Sequence, residues 1–408
     1  MTASGVAITT SAVSINYQTA ALTCNEPPPD TGYIKYGTAV AVDDGSNYAV
    51  ITGTRAAYGL SSAGGAYVLE LDANGEWDTN AILVPTDVAT SDSFGRCVAV
   101  SGTYAILGSQ CDVGGRLNAG AAYMFERIAG TWTQTTKLVA SDVCPGDNFG
   151  IAVSVSGTYA IVGATTRYQL GVASSGGAYI FERNVTTGTW EQKATLFPSD
   201  VPTGAYFGAG ICISGTYAIV GAYNKNTAAG GAYIFERNST SGAWEEKAIL
   251  AASDPAANMK FGKAVSIDGN YAVVAAEGKT VTALSNVGGA YVFERVSGTW
   301  GQVAMLDNPD PTASDYFGIS VSVSGVYAVV GCYLNDPSSK SGAGSTYLFK
   351  RSPTTGLWPF VKEWTANDGL ASDNMGGSVS IAGTHVVSGA SFKTSAGVTI
   401  MGGAYMFE

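Results

Sequence analysis

The stretch DNFGIAVSVSGTYAIVGA, residues 147–164, decides the fold. Val153 and Val155 alternate with small residues, Ser156-Gly157-Thr158 supplies a tight turn, and Tyr159 to Gly163 is a continuous apolar run. That pattern is a hairpin of two short strands. Working outward, a variable loop leads to a third strand at Gly177 to Arg183. Thr186 to Thr189 turns the chain again, and Trp190 to Leu196 makes a fourth strand. The β-branched and aromatic content favours strand over helix. A four-stranded unit of this size cannot bury both faces alone, so it needs neighbours.

The neighbours lie in the same chain. Phe-Gly recurs at Phe94, Phe149, Phe207, Phe261 and Phe317, with Tyr36-Gly37 before them and Met375-Gly376 after, and the glycines are 58, 55, 58, 54, 56 and 58 residues apart. A Gly-Ala-Tyr mark or a variant ends at Tyr67, Tyr123, Tyr179, Tyr233, Tyr291, Tyr347 and Tyr405, and a Trp stands at 77, 132, 190, 244, 300 and 358. This repetition predicts an all-β, closed seven-bladed β-propeller with four antiparallel strands per blade. One domain then covers 1–408, with blades beginning near 36, 94, 149, 207, 261, 317 and 375. The last copy stops at Phe407-Glu408, after its third strand. Its fourth lies within residues 1–23, where Ile15 to Thr23 resembles the other fourth strands and Leu22 aligns with Leu138 and Leu196. The N-terminal strand therefore completes the last blade, offsetting a loop-closure cost of about 5 kcal/mol.

At these residues the chain resembles the FG-GAP repeat proteins, whose best-known relatives are the seven-bladed propellers of integrin alpha subunits. The resemblance covers nearly the whole chain and implies a ring that presents its loops to a partner, as adhesion propellers do. Integrin-type repeats hold calcium in an Asp-rich loop between the first two strands. Here that loop is Ser-Gly-Thr in most copies, and the nearest remnants, Asp43-Asp44-Gly45 and Asp268-Gly269-Asn270, lack the oxygen ligands calcium takes. Neither a metal nor a cofactor is expected.

Composition narrows the function classes. Of 408 residues 53 are Gly, about twice the usual share, and only 13% are charged where roughly 25% is ordinary. With 46% hydrophobic residues the chain builds a large core. A net charge of -11 argues against a grip on nucleic acid or anionic lipid. No apolar run is long enough to span a membrane, and Met1 to Thr10 has neither the basic start nor the apolar stretch of a secretion signal. The shortage of charge and two sequons, at Asn184 and Asn238, point to an extracellular or cell-surface setting with N-glycosylation.

Strand order puts the long loops and the blade-to-blade connections on one face and the tight turns on the other. Each long loop carries a basic residue: Arg55, Arg116, Arg167, Lys225, Lys279, Lys340 and Lys393. Aromatics outside the repeat columns join them at Tyr58, Tyr168, Tyr223, Tyr333 and Phe392, with Tyr206 and Tyr316 nearby. Tyr and Arg are enriched where proteins bind partners, so this face is the candidate site for a protein or glycan. Alternatively, the basic residues neutralise an Asp column at 87, 142, 200, 254, 310 and 368. Together with a second Asp column at 92, 147, 315 and 373, these carboxylates read as turn-fixing acceptors of backbone N–H groups in the inter-blade loops, the alternative being a ring that collects cations or serves as acid and base. Of six cysteines, Cys111 and Cys144 are the best candidate disulfide.

Catalytic equipment is sparse in the sequence. The one histidine, His385, falls in the Tyr column of the second strands, and no Gly-x-Ser-x-Gly elbow exists. Glu26, Asp112, Glu277 and Asp336 are the loop carboxylates that break the repeat, and none has a partner visible in the sequence. The resulting expectation is a non-catalytic extracellular binding or adhesion module, not an enzyme. The alternatives are a structural subunit of a self-assembling extracellular lattice and, third, a carboxylate-based hydrolase or lyase.

Overall fold

In the computed structural model, residues 18–22, 35–43, 45, 47–53, 56–57, 60–168, 171–200, 203–394 and 402–408 are described. Seven four-stranded antiparallel sheets form the blades of a propeller. The third blade comprises Phe149–Ser156, Tyr159–Ala164, Gly177–Arg183 and Trp190–Leu196, paired in that order from the axis outward. Ser156 pairs with Tyr159 across a two-residue turn, where Gly157 takes φ +54°, a value open to glycine and costly for other residues.

The last blade is completed as expected. Gln18–Leu22 pairs antiparallel with Gly403–Phe407, and Leu22 sits opposite Ala404 as Leu138 sits opposite Ala122. Ile15, Asn16 and Tyr17 lie outside the described residues. The seam between the last blade and the first repeats contacts found elsewhere in the ring: Tyr36 bridges Gly402 as Phe94 bridges Gly64. His385 stands edge-on to Trp77 at 5.8 Å, where Tyr104 stands edge-on to Trp190 at 5.7 Å. The histidine thus fills an architectural position.

Blades pack through apolar clusters that alternate between neighbours. Fully buried Phe94 lies with Val50, Ala66 and Val68 of the first blade and Tyr123 and Phe125 of the second. The close approach requires glycine: at Gly120, φ +83°, a Cβ would stand 1.9 Å from the Phe149 carbonyl oxygen. A hydrogen-bonded belt ties the tight-turn end. Ser101, Ser156, Ser214, Asp268, Ser324 and Asp43 each accept the N–H of the next blade's turn glycine, at 2.7 to 3.3 Å. Asp43 and Asp268 thus serve as links between neighbouring turns. The inner strands enclose an axial cavity of about 330 Å³.

Candidate functional site

At the long-loop end, the second strand stops opposite the Phe-Gly pair, as Phe149 opposite Ala164 shows. Three positions per blade therefore gather at the mouth of the axial channel: the residue before the Phe-Gly aromatic, the residue after its glycine, and the residue after the paired end of the second strand. In blades four, five and six the first and third positions hold Tyr206 and Tyr223, Lys260 and Glu277, and Tyr316 and Tyr333. The first pair is stacked at 5.5 Å and the last is tilted at 5.7 Å. All four tyrosines are half-buried.

Between the tyrosine pairs lies the structure's least symmetric feature. Glu277 Oε1 accepts from Lys260 Nζ at 3.0 Å and from Lys263 Nζ at 2.5 Å. The lysine side chains are 37% and 38% exposed, whereas Glu277 is 2% exposed and its Oε2 has no hydrogen-bond partner. A buried polar atom left unpaired costs about 1–3 kcal/mol, more for a charged group, and calls for an explanation. Burial pulls the Lys260 ammonium down, yet its hydrogen bond and attraction to Glu277 outweigh this and its pKa is raised. Tyr223 and Tyr333 are raised by burial first, then by their tyrosine neighbours, Tyr206 and Tyr316 respectively, with Glu277 adding to both. The tyrosines, Lys260 and Glu277 thus form one electrostatically coupled group.

The basic residues of the loops divide into two sets. Arg167, Lys225, Lys279 and Lys393 pair with Asp142, Asp200, Asp254 and Asp368. The same carboxylates accept from Tyr179, Tyr233, Tyr291 and Tyr405 at 2.6 to 2.9 Å. Each blade of this set thus has a Tyr–Asp–cation triad at its rim. Asp142 shows the balance: burial raises it, but the Arg167 and Tyr179 hydrogen bonds prevail and its pKa falls. Lys340 donates instead to the Gly369 carbonyl at 2.6 Å, and Arg116 lies in a two-residue bridge with Val113. Tyr168 is exposed and donates to the Gly171 carbonyl, while the Phe392 ring lies 4.3 Å from Lys35 Nζ. Arg55, Tyr58 and Glu26 lie outside the described residues.

The second Asp column fixes turns. Asp92, Asp147, Asp315 and Asp373 each accept the N–H three residues back at 2.7 to 2.8 Å. Asp112 and Asp336 accept loop N–H groups at 2.8 and 2.7 Å. Asn184 and Asn238 use their side-chain oxygens to cap turns, accepting from Thr186 and Thr240. The expected disulfide is not formed: Cys111 and Cys144 are free thiols, the first buried 3.8 Å from the Tyr123 hydroxyl and the second exposed beside the Asp142 carbonyl. Burial pushes the Cys97 thiol up to about 12, which leaves it inert as a nucleophile.

Glu277 has no partner visible in the sequence, yet in the fold it has two, Lys260 and Lys263, neither of them a candidate by residue type or loop position. Column alignment does not single out Lys260, which stands where other blades have Lys35, Ser93, Asn148, Tyr206, Tyr316 and Asn374. Among the described residues no group of three or more His, Cys, Asp or Glu gathers as a metal site, and no helix is long and apolar enough to cross a membrane.

A family model described as FG-GAP repeat matches residues 77–125, 132–181, 190–235, 244–293, 300–349 and 358–407. No curated protein matches the sequence. Among solved structures, the chain is similar to the Pseudomonas aeruginosa periplasmic gluconolactonase PpgL, with a TM-score of 0.53 and 14% identity over 82% of this chain and 86% of that one. The likeness is one of fold, and it corrects the expectation of a non-catalytic adhesion module and of no enzyme. The same ring carries an enzyme, so resemblance to adhesion propellers does not assign a non-catalytic role.

Proposed function

The chain belongs to the FG-GAP repeat family, and from that premise we propose that it is a catalytic propeller, a hydrolase that opens a small, hydroxyl-rich ester or lactone at the mouth of its axial channel. The observation that carries this reading is the Glu277 carboxylate, 2% exposed, with one oxygen shared by two lysines and the other unpartnered. Such a group is equipped to act as a general base. Water attacks the acyl carbon as the Glu277 carboxylate takes its proton. The Lys260 and Lys263 ammonium groups stabilise the oxyanion that forms. The tetrahedral intermediate then breaks its bond to the ester oxygen, which recovers the proton from Glu277, giving a carboxylic acid and an alcohol.

The tyrosine pairs supply apolar ring faces on both sides, of the kind that stack on the C–H faces of a sugar-derived ring. The family fold accounts for the ring, and the similar propeller PpgL is a gluconolactonase. PpgL is periplasmic, and the low charge and the two sequons support an extracytoplasmic setting here too. The test is a pH-stat screen of the purified chain on glucono-δ-lactone, other aldonolactones and simple aliphatic esters. Acid release above the spontaneous rate on the polyhydroxylated lactones supports the reading. Rates equal to the spontaneous ones across the panel overturn it.

A further inference from the structure

The three mouth positions of the seven blades have a charge that opposes the rest of the protein. Among the described residues they hold four cations, Lys35, Arg96, Lys260 and Lys263, and one carboxylate, Glu277, a formal +3 at these positions on a chain of -11. At the opposite end of the cavity the corresponding ring holds Asp43 and Asp268, serines and Ala382, with no cation among these described residues. Cations thus stand at the innermost positions of the mouth and carboxylates, without cations, at those of the floor.

Arg96 and Lys263 occupy the same repeat position three blades apart. Lys263 contacts a carboxylate, but Arg96 contacts the neutral amide oxygen of Gln110 at 2.8 Å, so its charge is not balanced by that contact. Asp142, Asp200, Asp254 and Asp368 hold the loop cations, and Asp92, Asp147, Asp315 and Asp373, one residue before their mouth positions, turn a carboxylate oxygen to their own loop N–H groups, so neither column forms an ion pair with Arg96. Cations that converge on a concave mouth attract anions to it.

We infer that the mouth binds small hydroxylated anions, a carboxylate or a phosphate on a sugar-sized frame, with Arg96 and the Lys260–Lys263 pair as the anion-holding groups. The inference rests on the reading of the Glu277 centre as the substrate site, and it narrows the substrate class to sugar-sized lactones whose opening releases a sugar-acid anion or that carry a phosphate.

Isothermal titration of the full chain with gluconate, glucose 6-phosphate and glucose tests it at low ionic strength. The two anions bind and glucose binds at least about tenfold more weakly, as expected when one charge-assisted contact is lost. The two anion arms distinguish a carboxylate from a phosphate source. Arg96→Gln weakens anion binding by about tenfold without lowering the melting temperature. Equal binding of glucose and the anions, or no effect of Arg96→Gln, overturns the inference. Anion binding by a chain that hydrolyses no lactone leaves this inference standing and removes the hydrolase; hydrolysis without anion preference does the reverse.

Discussion

Lys263 Nζ lies 2.5 Å from Glu277 Oε1, in the two repeat columns where the second blade holds Arg96 and Gln110. One ring of positions thus makes a neutral contact in one blade and an ion pair in another. Six copies of a repeat can hold the frame while one departs from it, and that departure is where chemistry enters.

The tyrosine pairs beside this centre give the first prediction. Tyr223 and Tyr333 are half-buried, so truncation disturbs little of the core. Tyr223→Ala and Tyr333→Ala each raise KM for a sugar lactone several-fold with little change in kcat, consistent with an aromatic contact worth about 1 kcal/mol. Steady-state kinetics check this, and an unchanged KM in both removes the tyrosines from the site.

Ring closure makes a second prediction. Gln18–Leu22 is the outer strand of the last blade, so deleting residues 1–23 leaves that blade with three strands and an open edge. The melting temperature falls by about 5 °C or more, a loss of a few kcal/mol in a domain this large. Calorimetry measures it, and an unchanged melting temperature contradicts the closure.

Close packing between blades gives a third. Gly120→Ala must relieve a Cβ 1.9 Å from the Phe149 carbonyl oxygen at φ +83°. The variant loses more than about 1 kcal/mol in denaturant unfolding. A loss of only a few tenths contradicts so close an approach of the two backbones.

Asp147 and Asp315 of one Asp column and Asp142 of the other respond oppositely to pH. Asp147 and Asp315 are raised above 3.8, burial outweighing the N–H groups of Cys144 and Thr312. Their stability contribution is present below 3.8 and is lost as pH rises through the folded pKa. Asp147→Asn is therefore as stable as the parent or more so at pH 7, with the gain gone near pH 3. For Asp142, lowered despite burial by Arg167 and Tyr179, the contribution is present above 3.8 and is lost as pH falls through the depressed folded value. Asp142→Asn is accordingly less stable at pH 7 and equal to the parent in strong acid. Thermal melts across pH 2–8 check both signs.

The fold is legible in the sequence because its determinants are local and repeated seven times. Phe149, Gly157 and Trp190 mark one blade, and Leu22 betrays the closing strand by its register. The site is half legible. Tyr206, Tyr223, Tyr316 and Tyr333 stand out as aromatics beyond the repeat columns, but the loop cations are equally conspicuous although four of them are held by rim carboxylates. Glu277 shows only as one of several carboxylates that break the repeat, because its partners are brought to it by the fold: Lys260 and Lys263 come from the segment leading into the blade's first strand, 17 and 14 residues away. Pairing across a hairpin of unknown register cannot be read from composition or from loop position.

The most direct measurement compares acid release from glucono-δ-lactone by the parent chain and by Glu277→Gln, in a pH-stat at neutral pH, with calorimetry confirming that both are folded. The account predicts catalysis by the parent above the spontaneous rate and a loss of about a hundredfold or more in the variant, the range of a positioned general base. A folded Glu277→Gln chain that hydrolyses the lactone as fast as the parent, or a parent no faster than water alone, would contradict it.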